Sequence, residues 1–283
     1  MTHRNTMPGY YEGFAEKKYP KAEKRSLYVP GYDGTKLACD IMRPLLEDGS
    51  YPDEKLPVIM LLSRGQRMNT ERKHNGVDII EYCVPYGYVG VVLESRGCGA
   101  SYGTCDSFAD IEDRHDVNAV LDWLGEQSWC SGKAALFGGS NRGLIQLAAA
   151  VNRPEPSKVL KAITPVVANA DFYYQDYVNG VSALPGSKRH GHMFNKKPQG
   201  PMSKEDLLKK VTPVDDDPDG DQAYEAYLSG QYGKNHGFMN YLVLPNMCRD
   251  SENPNFNGEK TNLTLPPYED LEVFRNSIMI LLR

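Results

Sequence analysis

The chain has 283 residues, of which 40% are hydrophobic and 24% charged, with a formal net charge of −5. That is the composition of a globular protein with a sizeable core, and it leaves no basic footprint for nucleic acid. No apolar run approaches the roughly 20 residues needed to cross a bilayer, and residues 1–18 lack the apolar segment of a signal peptide, so a cytoplasmic protein is expected.

Along the chain, residues 24–29 and 35–43 read as two strands joined through Asp33-Gly34, a good hairpin turn. The second strand alternates Leu37, Cys39 and Ile41 against Lys36 and Asp40, and an antiparallel opening of this kind can precede a parallel sheet. Residues 56–62 form a nearly continuous apolar run, as a strand buried on both faces should. A short helix over 77–84 is stopped by Pro85 and Gly87, and residues 88–93 form a second buried strand. Residues 110–127 carry the clearest helix, with Val117, Val120, Leu121 and Leu124 at helical spacing. Residues 134–137 and 161–168 are two more strands, with a helix following Ser140 between them.

Strands alternating with helices imply a mostly parallel α/β sheet covered on both sides. Residues 170–270 are instead rich in Tyr, Asp, Asn and Pro, and the run Leu242-Val243-Leu244 is too short for a core strand. Ser203 and Asp206 are spaced as the capping pair of a helix over 203–211, and 222–228 reads as another short helix. The organisation expected is a core over 1–169, a helical cap over 170–270, and a returning core strand within 271–283, at 277–282. The six cysteines (Cys39, Cys83, Cys98, Cys105, Cys130 and Cys248) match no zinc spacing and are read as thiols. No metal and no cofactor is expected.

The chemistry concentrates at Gly138-Gly139-Ser140-Asn141-Arg142-Gly143, between the apolar run 134–137 and the apolar stretch 144–151. A strand, a sharp turn and a helix with serine at the apex lift a hydroxyl above the sheet edge, where a base can take its proton. The backbone N–H of Asn141, at the helix N-terminus, is placed to donate to an oxyanion. A second donor is expected from Ser63-Arg64-Gly65-Gln66-Arg67.

The run from Val91 to Gly103, VVLESRGCGASYG, resembles the RGxGxSxG stretch of the cocaine esterase and X-Pro dipeptidyl-peptidase family. Glu112-Asp113, Asp116, Asp122-Trp123-Leu124 and residues 127–133 keep that family's order, and Gly138, Ser140 and Gly143 are similar to its G-x-S-x-x-G turn. The resemblance implies an α/β-hydrolase fold with a helical cap and, in complete members, a C-terminal β-sandwich. It implies hydrolysis of esters or amides, with Ser140 as nucleophile. Three positions depart from the pattern. Asn141 stands where a tyrosine is usual, Gly65 falls where the family has an oxyanion-donating tyrosine, and Glu94 stands for an aspartate.

In this fold the acid and then the histidine follow the nucleophile along the chain. Asp171 or Asp176 with His190, His192 or His236 has the right order, but the histidines lie in the expected cap. The acid and histidine, the last strands and the sandwich are therefore expected beyond Arg283, in a longer hydrolase of which this chain is the N-terminal part. His115 is read as a solvated or capping residue, and His3 and His74 as loop residues. The acidic run Asp215 to Gly220 fits the start of a calcium loop but is read as a solvated turn capping the 222 helix. His190-Gly191-His192 is read as an exposed cap loop and Ser187-Lys188-Arg189 as solvated surface. Arg96 and Asp113 are read as an ion pair bracing the nucleophile loop, and Arg142 as meeting a substrate carboxylate or a helix-surface acid. The function expected is a serine hydrolase acting on a small ester or peptide, with no nucleic-acid or membrane partner. The alternative is an inactive binding or interaction protein that keeps the hydrolase core.

Overall fold

The computed structural model describes residues 16–63, 67, 76–104, 111–151, 155–168 and 201–232, together with two short ladders, Thr6–Met7 with Tyr10–Tyr11 and Tyr177–Val178 with Val181–Ser182. Its centre is a six-stranded sheet. The strands are β1 (Lys21–Pro30), β2 (Lys36–Leu45), β3 (Leu56–Ser63), β4 (Val89–Glu94), β5 (Cys130–Gly139) and β6 (Leu160–Val166), in the spatial order β1-β2-β4-β3-β5-β6. β2 runs antiparallel to both β1 and β4, while β4, β3, β5 and β6 are parallel. The Asp33-Gly34 turn forms as expected, with Asp33 Oδ1 accepting the Thr35 N–H at 3.0 Å.

Helices α1 (Val77–Cys83), α2 (Ile111–Gly125) and α3 (Asn141–Ala150) connect the parallel strands. Val117, Val120, Leu121 and Leu124 of α2 and Ile145 of α3 pack on Val58, Met60, Leu62, Val91, Leu93 and Leu136. On the other face Ile80 of α1 and Val84 meet Met42, Leu61 and Val92. Successive residues of β3 thus enter different clusters, which is why its sequence is apolar without alternation.

The sequence alternation of β2 is not an alternation of burial, because Asp40 is 1% exposed. The polar face is covered by the segment that carries α4 (Lys204–Leu208) and α5 (Asp221–Ala226). Ala38, Ala100, Val214 and Ala223 form a third cluster there. Asp40 accepts the Ser26 hydroxyl and faces Arg67 Nε at 2.9 Å. Arg67 also donates Nη2 to the carbonyls of Thr212 at 2.7 Å and Pro213 at 3.2 Å. One buried guanidinium therefore joins the loop after β3, the hairpin and the 201–232 segment.

The expected capping pair is present, with Ser203 Oγ accepting the Asp206 N–H at 3.1 Å. The acidic run does cap α5, since Asp217 accepts the N–H groups of Gln222 at 3.1 Å and Ala223 at 2.9 Å. It is not wholly solvated, because Asp217 is buried and Asp215 is bonded to the Ser26 N–H at 2.9 Å. Arg96 binds Asp116 through Nε and Nη2, both at 2.7 Å, and reaches Asp33 at 3.1 and 3.2 Å. Asp116 and Asp33 are thus carboxylates that hold Arg96 between α2 and the β1–β2 turn. That pairing holds the Asp33 carboxyl well below its usual range.

Breaking a buried pair from one side leaves the other charge uncompensated. Arg67→Met is expected to cost about 3–5 kcal/mol in a urea melt, against a change near zero for substitution of the exposed Lys209.

Candidate active site at the β5–α3 turn

The chain leaving β3 passes through α1 to β4 on one side, and the chain leaving β5 passes through α3 to β6 on the other. Neighbouring parallel strands whose connections part in this way leave a crevice beyond their carboxyl ends. Ser63 and Ser140 mark those two ends.

β5 stops at Gly139 and α3 starts at Asn141, so Ser140 alone makes the turn. It is exposed and has φ 59° and ψ −128°, a conformation that costs an L-residue of order 1–3 kcal/mol. Backbone bonds on both sides hold it. The Ser140 N–H donates to the Val166 carbonyl at 2.9 Å, and the Ser140 carbonyl accepts from Gly143 at 2.9 Å and Leu144 at 3.1 Å. A Cβ on Gly143 would lie 2.7 Å from Ala168 Cβ and 3.2 Å from the Gly138 carbonyl oxygen. A Cβ on Gly138 would meet Arg142 Cβ at 2.7 Å. The second glycine thus sits at 143 because that position faces the end of β6 and the Gly138 carbonyl. The Asn141 N–H opens α3 beside Ser140, among the first four donors that a helix leaves without an internal partner. Arg142 is half-buried at the turn, and burial lowers its guanidinium pKa.

Across the crevice, Glu94 ends β4 in register with Ser63. Its carboxylate accepts the Ala100 N–H at 2.8 Å and the Arg67 backbone N–H. Burial pushes its pKa up to about 7 despite the pull of Arg67. A Cβ on Gly99 would fall 1.9 Å from Glu94 Oε1, so glycine there makes room for the acid. Ser101 Oγ donates to the Glu94 carbonyl at 2.8 Å and accepts from the Ala38 N–H at 2.9 Å. The Val91 to Gly103 run is thus a bracket that fixes the loop after β4 to β2 and to the loop after β3.

Of the sequence-expected site residues, Ser140 and Asn141 meet at this turn. Gly65, Asp171, Asp176, His3, His74, His190, His192, His236, Leu242-Val243-Leu244 and the strand at 277–282 lie outside the described residues. His115 is half-buried on α2 with its ring 5.3 Å from that of Tyr32. Among the described residues no group of three or more His, Cys, Asp or Glu is placed to hold a metal ion, and no helix is long and apolar enough to cross a membrane. Gln146, a buried polar residue in the apolar helix after Ser140, was not singled out from the sequence, although its isolation there was the available signal.

A sheet of this order with a strained, exposed serine between a parallel strand and a helix is that of an α/β-hydrolase. The chain belongs to the family described as X-Pro dipeptidyl-peptidase (S15 family), whose profile matches residues 33–235. It is 32% identical over 160 residues to the cocaine esterase of Rhodococcus sp. (strain MB1 Bresler), an alignment covering 56% of this chain and 26% of that protein. Among solved structures it is similar to a CocE/NonD family hydrolase from Staphylococcus aureus, with 26% identity, TM-score 0.43, and coverage of 54% of this chain and 28% of that one. It is also similar to an aminopeptidase from the marine sediment archaeon Thaumarchaeota archaeon, with 19% identity, TM-score 0.45, and coverage of 61% and 29%. The chain spans about a quarter of the length of the curated relatives it matches.

Two outcomes test the local physics. Gly143→Ala is expected to destabilise the protein by about 1–3 kcal/mol in chemical denaturation, since the contact is with backbone and a neighbouring strand. Glu94 binds its proton more tightly folded than unfolded. The stability it contributes, about 3 kcal/mol, is full below its ordinary pKa of 4.5 and is lost as pH rises through about 7. Glu94→Gln mimics the neutral acid, so its Tm relative to wild type is expected to climb between pH 5 and pH 8. A constant difference across that window removes the buried ionisation.

Proposed function

We propose that the chain is a serine hydrolase that cleaves a small ester or amide, of the acyl or X-Pro dipeptidyl type, through an acyl-enzyme on Ser140. The observation that carries this reading is the exposed serine held at φ 59° between β5 and α3. Ser140 Oγ attacks the carbonyl carbon as a base takes its proton, and the tetrahedral oxyanion receives the Asn141 backbone N–H. The oxyanion collapses, the alcohol or amine leaves with a proton, and water then attacks the acyl-enzyme to release the acid and restore the serine. The reaction needs no metal or cofactor. In this reading residues 1–169 are the core, 170–270 a cap that shapes the acyl site and 271–283 the returning strand, and the protein works in the cytoplasm.

A fluorophosphonate probe is expected to label the protein, and Ser140→Ala to abolish the label. Hydrolysis of a p-nitrophenyl ester should fall by roughly 10³-fold or more in the same variant. Labelling that survives Ser140→Ala in folded protein would falsify the assignment.

A further inference from the structure

Gln146 lies in the second turn of α3, is 3% exposed, and its carboxamide is spent entirely on the backbone around Ser140. Nε2 donates to the Gly138 carbonyl at 3.1 Å and to the Arg142 carbonyl at 3.1 Å. Oε1 accepts the Thr164 N–H at 2.9 Å. Two carbonyls on one side and one N–H on the other fix which amide atom is nitrogen. The amide therefore joins the last residues of β5, the first turn of α3 and strand β6, the three pieces of backbone that meet at Ser140.

We propose that Gln146 is a positioning residue for Ser140, holding the strained serine turn in shape by clamping the Gly138 carbonyl to α3 and β6. The inference rests on the hydrolase reading of Ser140. A backbone conformation at φ 59° persists only where its surroundings over-determine it. The backbone bonds of Ser140 act at the turn itself, whereas Gln146 acts two residues before it and two after. An apolar residue at 146 would pack equally well in α3 and would leave the Gly138 carbonyl and the Thr164 N–H without this partner.

The test uses the full chain with Gln146→Met, which keeps volume and removes all three bonds, and Gln146→Glu, which keeps the Thr164 acceptor and removes both donors. Each variant is first shown folded by circular dichroism. Amide hydrogen exchange in the peptide covering 138–144 is expected to quicken about tenfold or more in both variants, with exchange in α2 and β3 unchanged. The rate of fluorophosphonate labelling at Ser140 is expected to fall by tenfold or more, and kcat for a p-nitrophenyl ester to fall with KM unchanged. Wild-type exchange across the turn in either folded variant overturns the proposal, and so does a quickened turn that labels at the wild-type rate. If wild type itself shows no label dependent on Ser140, the hydrolase reading fails. That failure is told apart from failure of the clamp because exchange is read on the same proteins without the probe.

Discussion

Strand β3 is hydrogen-bonded on both edges by parallel neighbours that the chain reaches in opposite directions, and the rest of the molecule follows from that constraint. A strand with two parallel neighbours has to send its connections over the sheet faces. α1 covers one face and α2 and α3 the other, so the middle of β3 and of β4, residues 58–62 and 89–93, carries no polar side chain. The same divergence opens the crevice at the carboxyl ends of β3 and β5 and puts Ser140 at its rim. The hairpin of β1 and β2 adds two antiparallel strands beside β4.

Buried charge does the second job, which is to fix loops that the sheet does not reach. Two carboxylates, Asp40 and Glu94, share the neighbourhood of one guanidinium, Arg67. One cation against two acids in a desolvated site favours a proton on one of them, and burial raises the pKa of both. Arg96 with Asp116 and Asp33 plays the corresponding part between α2 and the hairpin turn. These groups cost desolvation, and they return it as defined geometry for the loops after β3 and β4. The serine turn is fixed differently, by neutral backbone bonds and a carboxamide, which adds no charge beside Ser140.

What could be read along the chain was whatever depends on neighbours within about one turn or one hairpin. The Asp33-Gly34 turn, the unbroken apolar run of β3, the helical spacing of Val117, Val120, Leu121 and Leu124, and the Ser203–Asp206 cap are signals of that kind. The strand–serine–helix pattern was legible for the same reason. The burial of Asp40 was not legible, because the cover over its face comes from Val214 and Ala223, far along the chain. The bonds of Arg96 to Asp116 and Asp33 were not legible, because Asp33 reaches it only through the packing of the hairpin turn against α2.

The sequence by itself determined the strands of the six-stranded sheet, the helices that connect them, the place of the serine and the family, because these rest on local pattern and on motifs read in order. The tertiary structure decided that Ser140 takes φ 59°, that Gly143 faces the end of β6, that Glu94 is a buried acid, and that Gln146 and Arg67 spend their donors on distant backbone. Each of these is a contact between segments whose approach is set by the packed sheet, and a long-range approach leaves no periodic trace in the residues that make it.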